Sequence, residues 1–315
     1  MRSWLIGTGP MGRDYYKVLQ ALGESVKVIG RGEKSAAEFE SMTGQEVSRG
    51  TLEFHLEQTG APAQAVVAVG IDNLAPVASA MIRAGTKRIL LEKPGALNRH
   101  DLSQLAEMAA AHGASVLLGY NRRFHAATLE AERLIAEDGG ATFCVFEFTE
   151  WAHTITPLNL PKEVKENWMY SNSSHVADLA FFLSGYPREV ATFHGGHLDW
   201  HSKSARFAGA GVTERGIFFS YHADWEAPGR WGVEVLTRKR RFIFRPLEKL
   251  QVIQLGSTTT AEVPLNDMLD QEYKPGLYLQ TQAFLNGEDG RLCNIDQQRM
   301  NMDLYAKMAA YTQQA

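Results

Sequence analysis

The sequence predicts an α/β protein with an N-terminal Rossmann-type, doubly wound parallel sheet. A C-terminal α+β domain with a large, mostly antiparallel open sheet follows it. Three observations predict this. Up to about residue 120, short apolar runs alternate with amphipathic stretches, as strands buried on both faces and joined by helices require. A glycine-rich turn, Gly7-Thr8-Gly9-Pro10-Met11-Gly12, comes directly after the first apolar run. Beyond residue 121 helices become sparse, and residues 189–256 read as successive strands.

The elements follow in order. Strands are predicted at 3–7, 26–30, 65–70, 88–92 and 115–119, with helices at 11–22, about 33–42, near 74–84 and at 102–113. A helix over 126–138 stops at Gly139-Gly140, a common C-terminal signal. TFCVFEFTE (142–150) alternates like a strand, and a proline-containing loop around 151–170 precedes a helix over 175–185. Strands are carried by EVATFHG, TERGIFFSYHA, WGVEVLT, RFIFRP and LQVIQL, and helices near 276–286 and 296–313 close the chain. Two domains result, a dinucleotide-binding one over 1–120 and one for substrate binding and oligomerisation over 121–315. A broad sheet with few helices to cover it predicts a homo-oligomer, a dimer or tetramer, formed through that sheet.

Composition narrows the class. The chain has 315 residues, 44% apolar and 22% charged, with a net charge of −4, which excludes a disordered chain. A pI near 6.2 argues against nucleic acid or an anionic membrane as partner. No apolar run approaches the roughly 18 residues of a spanning helix. The opening MRSWLIGTGPMG has no signal-peptide pattern, and the distant Cys144 and Cys293 read as buried thiols, so a cytoplasmic protein is expected.

The glycine turn is a G-x-G-x-x-G set between a strand and a helix. Gly7 permits the tight turn, Gly9 admits a pyrophosphate, and Gly12 lets helix and strand pack closely. Pro10 suits the first helical turn, and the anion would sit on free N–H groups at the helix start. Thr8 and Met11 share this turn. At the end of the second strand, an acidic residue would select NAD by holding the ribose hydroxyls. Gly30-Arg31-Gly32 stands there instead, with Ser35 nearby, leaving room and counter-charge for a 2′-phosphate. Glu33 supports the opposite choice. The cofactor is therefore NAD(P), with the balance toward NADP.

LLEKPGAL (90–97) ends the fifth strand with Glu92-Lys93-Pro94. Ligands of open α/β sheets bind outside the strands' carboxyl ends, where Lys93 could polarise a substrate oxygen or move a proton. GTGPMG, EKP some 80 residues later, and YNRRF (120–124) together resemble the Gfo/Idh/MocA oxidoreductases, which include glucose–fructose oxidoreductase and inositol dehydrogenase. The resemblance covers nearly the whole chain. It implies hydride transfer between a nicotinamide and a small carbohydrate-like substrate: a sugar, cyclitol or sugar nucleotide. It places Lys93 and Glu92 at the cofactor, with Lys93 also at the reacting oxygen, and makes His175 the general acid/base. Asp178, one turn on, would orient that helix, while Tyr120, Asn121 and Arg123 lead into the substrate site.

Two departures mark a divergent branch. The family's D-x-x-x-H aspartate falls on Ser171, within Tyr170-Ser171-Asn172-Ser173-Ser174-His175, and its Thr-Pro-His segment is replaced by Gly70-Ile71-Asp72-Asn73-Leu74. Lys93, Tyr170 or a water held by Ser171 could then share the proton transfer. An imine or tetrapyrrole-type reductase and a non-catalytic dinucleotide-binding regulator remain as alternatives on the same fold.

Trp151, Trp168, Trp200, Trp225 and Trp231 crowd the second half, where indoles could stack on sugar rings or simply fill the core. Trp168, Tyr170, Ser171 and Asn172, just before His175, are the preferred substrate neighbours. His197, Asp199 and His201 would share a strand face but match no zinc spacing, so no metal is expected. Arg238-Lys239-Arg240-Arg241 reads as a solvated hairpin turn.

Overall fold

The computed structural model describes residues 3–311. The chain forms two compact units: the segment up to Asn121 with Leu269–Met300, and Arg122–Met268 with the chain from Asn301 onward. The return of Leu269–Met300 to the first unit lies outside the simple division at residue 120. Nothing in composition marks it, because a helix docked on a distant sheet reads like one docked nearby.

In the first unit, β1 (Ser3–Ile6), β2 (Val26–Gly30), β3 (Ser48–Arg49), β4 (Gln64–Val67), β5 (Arg88–Leu91) and β6 (Ser115–Leu118) make a parallel sheet in the order β3-β2-β1-β4-β5-β6. The short Cys293–Asn294 strand pairs antiparallel with β6. Leu5, Val66, Leu90 and Leu117 stand side by side across four strands, and all are buried. Helices α1 (Pro10–Ala21), α2 (Glu33–Thr43), α3 (Leu52–Thr59), α4 (Leu74–Arg83) and α5 (Arg99–Ala111) connect the strands. Burial on both faces is why these strands read as unbroken apolar runs; each such side chain contributes about 1.5–3 kcal/mol. The order reverses between β1 and β4, so the residues after β1, β2, β4, β5 and β6 share the edge where ligands of such sheets bind. The stretch between α2 and β4, featureless in sequence, holds β3 and α3; Thr51 caps α3 by accepting the Phe54 N–H at 3.2 Å.

The second unit begins with α6 (Ala126–Glu137) and β7 (Phe143–Glu147), then short helices α7 (Ala152–Ile155) and α8 (Lys162–Glu166). One π-helical turn, Met169–Ser173, leads into α9 (Ser174–Ser184). The sheet is completed by β8 (Pro187–Gly195), β9 (Arg206–Thr213), β10 (Phe218–Asp224), β11 (Gly232–Leu236), β12 (Arg240–Phe244), β13 (Gln251–Gln254) and β14 (Thr260–Glu262). Its order is β14-β13-β12-β11-β7-β10-β9-β8, antiparallel except where β7 meets β10. The sequence pattern misses β9, because Gly209 and Gly211 interrupt its periodicity. Their register partners explain the glycines: a Cβ on Gly209 would sit 2.5 Å from the Tyr221 ring, and one on Gly211 2.7 Å from that of Phe219.

Helix α9 covers one sheet face, with Phe181 edge-on to Phe146 at 5.3 Å and to Phe219 at 5.1 Å. Phe193 and Phe218 are exposed. The basic run forms the β11–β12 turn, but it is not simply solvated. Arg240 binds Asp138 through Nε and Nη2 at 2.9 and 2.8 Å, and Arg241 pairs with Glu234.

His197, Asp199 and His201 lie beyond the end of β8, so they do not share a strand face. Among the described residues no three or more His, Cys, Asp or Glu side chains are placed to hold a metal. His201 is buried against Trp225, with Nδ1 2.6 Å from the Ser204 carbonyl and Nε2 3.0 Å from the Tyr311 hydroxyl. Since a carbonyl only accepts, Nδ1 donates, and a neutral ring accepts from Tyr311 at Nε2. Burial holds the His201 pKa below its usual value. The unfolded chain therefore binds the proton first, and stability present above the ordinary histidine pKa of about 6.5 is lost as pH falls below it. The melting temperature is expected to drop between pH 7.5 and 5, and His201→Gln to flatten that drop. An equal slope in the variant would assign the acid sensitivity to other groups.

Candidate active site

The phosphate-binding turn is built from close backbone crossings. Gly7 has φ +114°, and a Cβ there would drive into the Ala68 carbonyl after β4. A Cβ on Gly12 would collide with the Gly7 carbonyl, so α1 packs on the turn only through glycine. Beside Gly9 there is open space within 4 Å. Gly9 caps α1 without a side-chain hydrogen bond, and Pro10 follows, leaving backbone N–H groups at the helix start for an anion. The turn therefore fits a pyrophosphate. Met11 is half-buried in the first turn of α1.

Thr8 joins this turn to the end of β2: its hydroxyl donates to Ser35 Oγ at 3.0 Å, and Ser35 donates to the Gly32 carbonyl. Arg31 is exposed, and the preceding Gly30 is packed tightly against Thr8 and Val47, where a Cβ would come within 2.6 Å of the Thr8 side chain. Glu33 is also exposed and is engaged by Arg49, whose Nε lies 3.2 Å from its carboxylate.

Past β5, Lys93 is buried at the same sheet edge, and its peptide bond to Pro94 is cis. Two polar chains hold this loop. Glu92 accepts from the Tyr15 hydroxyl at 2.8 Å, and Tyr15 accepts from Gln280 Nε2 at 2.9 Å. Burial and the adjoining Glu92 carboxylate hold the Tyr15 pKa well above its usual value, so it stays a donor. On the other side Gln298 donates to the Pro94 carbonyl at 2.9 Å and accepts from the Tyr120 hydroxyl at 3.0 Å. Asn121 Nδ2 donates to the Pro275 carbonyl.

In the second unit His175 is buried in the first turn of α9, its ring centroid 6.2 Å from that of Trp231. Asp178 takes both Nε and Nη2 of Arg123, at 2.9 and 2.6 Å. Burial pushes the Asp178 carboxyl pKa up, against the pull of that guanidinium. Asn172 Nδ2 and Ser173 Oγ, in the π-helical turn, donate to Glu150 Oε1 at 2.9 and 2.7 Å. Glu150 Oε2 accepts from Arg230 Nη1 at 2.7 Å, and the Arg230 guanidinium lies over Trp231 and Trp151.

The preferred substrate neighbours take other places. Trp168 is buried edge-on against Trp200, Tyr170 packs on Tyr311, and Ser171 donates to the Val164 carbonyl. The π-helical turn points them into an aromatic core, and the tryptophan beside His175 is Trp231.

Residues 1–120 match the family model of Gfo/Idh/MocA, described as an oxidoreductase family with an NAD-binding Rossmann fold. Over this segment the chain is similar to the Rossmann domain of that family. Solved structures extend the likeness in fold to the whole chain. UDP-N-acetylglucosamine 3-dehydrogenase from Acidithiobacillus ferrooxidans matches with TM-score 0.76 at 16% identity, over 99% of this chain and 98% of its own. A putative NADPH-dependent oxidoreductase from Desulfitobacterium hafniense matches with TM-score 0.81 at 13% identity, over 98% and 95%. Levoglucosan dehydrogenase, solved with NADH and L-sorbose, matches with TM-score 0.77 at 15% identity, over 98% and 96%. None of the curated proteins matches the chain in sequence.

Sequence reading misses the residues that support the motifs. Gln298 bonds the EKP loop from 204 residues away and Gln280 bonds Tyr15 from 265 residues away, and no local pattern announces them. Glu150 follows Glu147 by three residues just beyond β7, and the pattern does not tell the more deeply buried carboxylate from its neighbour.

Proposed function

We propose that this chain is an NAD(P)-dependent dehydrogenase or reductase acting on the alcohol or ketone of a sugar, a cyclitol or a sugar nucleotide. One observation carries the reading: the anion-binding glycine turn and the buried Lys93 share one sheet edge, on either side of the switch between β1 and β4. The sugar and sugar-nucleotide dehydrogenases among the structures of the same fold support it. The first unit would bind the dinucleotide through Gly7, Thr8, Gly9, Pro10, Met11 and Gly12, and the second would bind substrate. When bound, the nicotinamide supplies the hydride acceptor or donor. Lys93 stabilises the developing charge on the substrate oxygen, and His175 accepts or returns the hydroxyl proton. With Ser171 engaged by a backbone carbonyl, no motif aspartate polarises the histidine, and more of this work falls to Lys93.

The reading favours NADP, because β2 ends without a carboxylate and Glu33 faces Arg49. Arg31→Ala is expected to weaken NADPH binding roughly 10-fold or more, the range of a lost charge-assisted contact, and to leave NADH unchanged. Fluorescence titration of both cofactors checks this; equal losses would remove the 2′-phosphate role. The outer face of the second sheet, where Phe193 and Phe218 are exposed among polar and charged side chains such as His222 and Glu234, suits a second copy of the chain. No helix among the described residues is long and apolar enough to cross a membrane. Cys144 and Cys293 are both buried, which suits a reducing cytoplasm. The deciding experiment is a panel of sugars, cyclitols and sugar nucleotides with NADP+ and NAD+, followed at the reduced-nicotinamide absorbance. Tight cofactor binding without turnover of any of them would overturn the enzyme reading.

A further inference from the structure

The second unit holds a guanidinium whose bonding capacity is half used. Arg230 gives Nη1 to Glu150, while its Nε and Nη2 have no hydrogen-bond partner among the described residues. Its side chain is 42% exposed. We propose that this free edge of Arg230 binds an anionic substituent, a carboxylate or a phosphate, on the substrate. The inference deepens the sugar-dehydrogenase reading and rests on it.

Three features carry it. Nε and Nη2 form the edge of a guanidinium that presents two parallel N–H groups, the geometry that grips paired anionic oxygens and that lysine lacks. That edge is held in place beforehand. The guanidinium lies 4.4 Å from the Trp231 ring centre and 5.1 Å from that of Trp151, and Trp151 is itself pinned by its Nε1–H to the Gly229 carbonyl at 2.7 Å. Glu150 is fully buried and fixed by Asn172 and Ser173, so the group that orients Arg230 cannot swing away. A guanidinium already ordered loses little freedom when an anion arrives.

The placement gives the site its purpose. Trp231 lies close to both Arg230 and His175, at 4.4 and 6.2 Å from its ring centre, so a molecule whose hydroxyl reaches His175 has substituents within reach of Arg230. Arg122 also lies over Trp231, at 5.3 Å, adding positive charge that offsets Glu150. Trp151, 45% exposed, leaves an apolar surface for the C–H face of a sugar. A purely structural arginine, present only to neutralise Glu150, has no need of an exposed double-donor edge.

The test compares D-glucuronate, D-glucose 6-phosphate and D-glucose. In the wild-type protein kcat/KM is expected to favour one or both anionic sugars by roughly 10- to 100-fold, the range of a charge-assisted hydrogen-bond pair. Which anion is favoured tells carboxylate from phosphate. Arg230→Gln is expected to abolish the preference mainly through KM, leaving D-glucose unchanged. Arg230→Lys, which keeps a cation for Glu150, is expected to fold with wild-type tryptophan fluorescence and restore only part of it. No anion preference in the wild type, or equal losses on all three sugars in both variants, would overturn the proposal. Calorimetric titration with the same three compounds separates it from the function it rests on. Arg230-dependent binding of an anionic sugar without oxidation of any sugar sinks the dehydrogenase reading alone. Turnover of neutral sugars without anion binding sinks the Arg230 site alone.

Discussion

Lys93→Met is expected to lower kcat by about 10²–10⁴-fold, the loss typical of a missing proton-transfer or oxyanion-stabilising group, while the dissociation constant for NADPH stays near the wild-type value. The split follows from where the lysine sits. The phosphate-binding work belongs to Gly7–Gly12 and the uncapped start of α1, whereas Lys93 follows a different strand. Lys93 is buried at the end of β5, in a loop held by Tyr15 and Gln280 through Glu92 and by Gln298 through Pro94. Methionine conserves length and suits burial, so the loop should persist and the ammonium alone be lost. Steady-state kinetics and cofactor fluorescence titration on the same preparation read the two quantities separately. A variant that turns over at near wild-type rates would remove Lys93 from the chemistry, and one that loses cofactor affinity in proportion would make it a binding residue.

How much of this was legible in the sequence depends on how local each signal is. The parallel sheet could be read because consecutive residues of its strands, such as Leu5 and Ile6 or Leu90 and Leu91, are buried on opposite faces, which demands unbroken apolar runs. The glycine turn could be read because each of its crossings admits no Cβ. β9 could not: its glycines answer to Tyr221 and Phe219 on a neighbouring strand, a requirement invisible along the chain. The EKP loop was legible, but its supports Gln280 and Gln298 were not, since hydrogen bonds across more than 200 residues leave no spacing to detect. Around His175 sequence adjacency and packing differ. Trp168, Tyr170 and Ser171 precede it in the chain, yet the π-helical turn sends them into an aromatic core and to the Val164 carbonyl. The residues that share its surroundings, Trp231 and through it Arg230, come from a strand connection 55 residues later. A π-helical turn is a known device for re-aiming side chains at functional sites, and here it frees Asn172 and Ser173 to hold Glu150.

The ion pair beneath His175 sets the second large effect. Arg123 and Asp178 have side chains only 3% and 1% exposed, and both carboxylate oxygens are used. Asp178→Ala would strand a guanidinium in the interior beside Phe182, over which it already lies at 5.0 Å. Removing one partner of such a buried pair typically costs about 3–5 kcal/mol, because the desolvation of the remaining charge is no longer offset. Five of the six tryptophans fall between residues 151 and 231, so fluorescence during urea unfolding reports chiefly on the second unit, where a lower midpoint is expected. The decisive variant is the double one, Arg123→Met with Asp178→Leu. If uncompensated charge is the cause, removing both charges should recover most of the lost stability, and the single-variant costs should not add. If the pair instead acts by fixing the geometry of α9, the double variant would regain its midpoint but not its turnover, since His175 lies one helical turn before Asp178 and depends on the same anchoring. Recovery of both would show that charge balance is all the pair provides. A single Asp178→Ala variant with an unchanged midpoint would refute the account, because a buried guanidinium that loses a carboxylate bound through both oxygens is expected to cost stability.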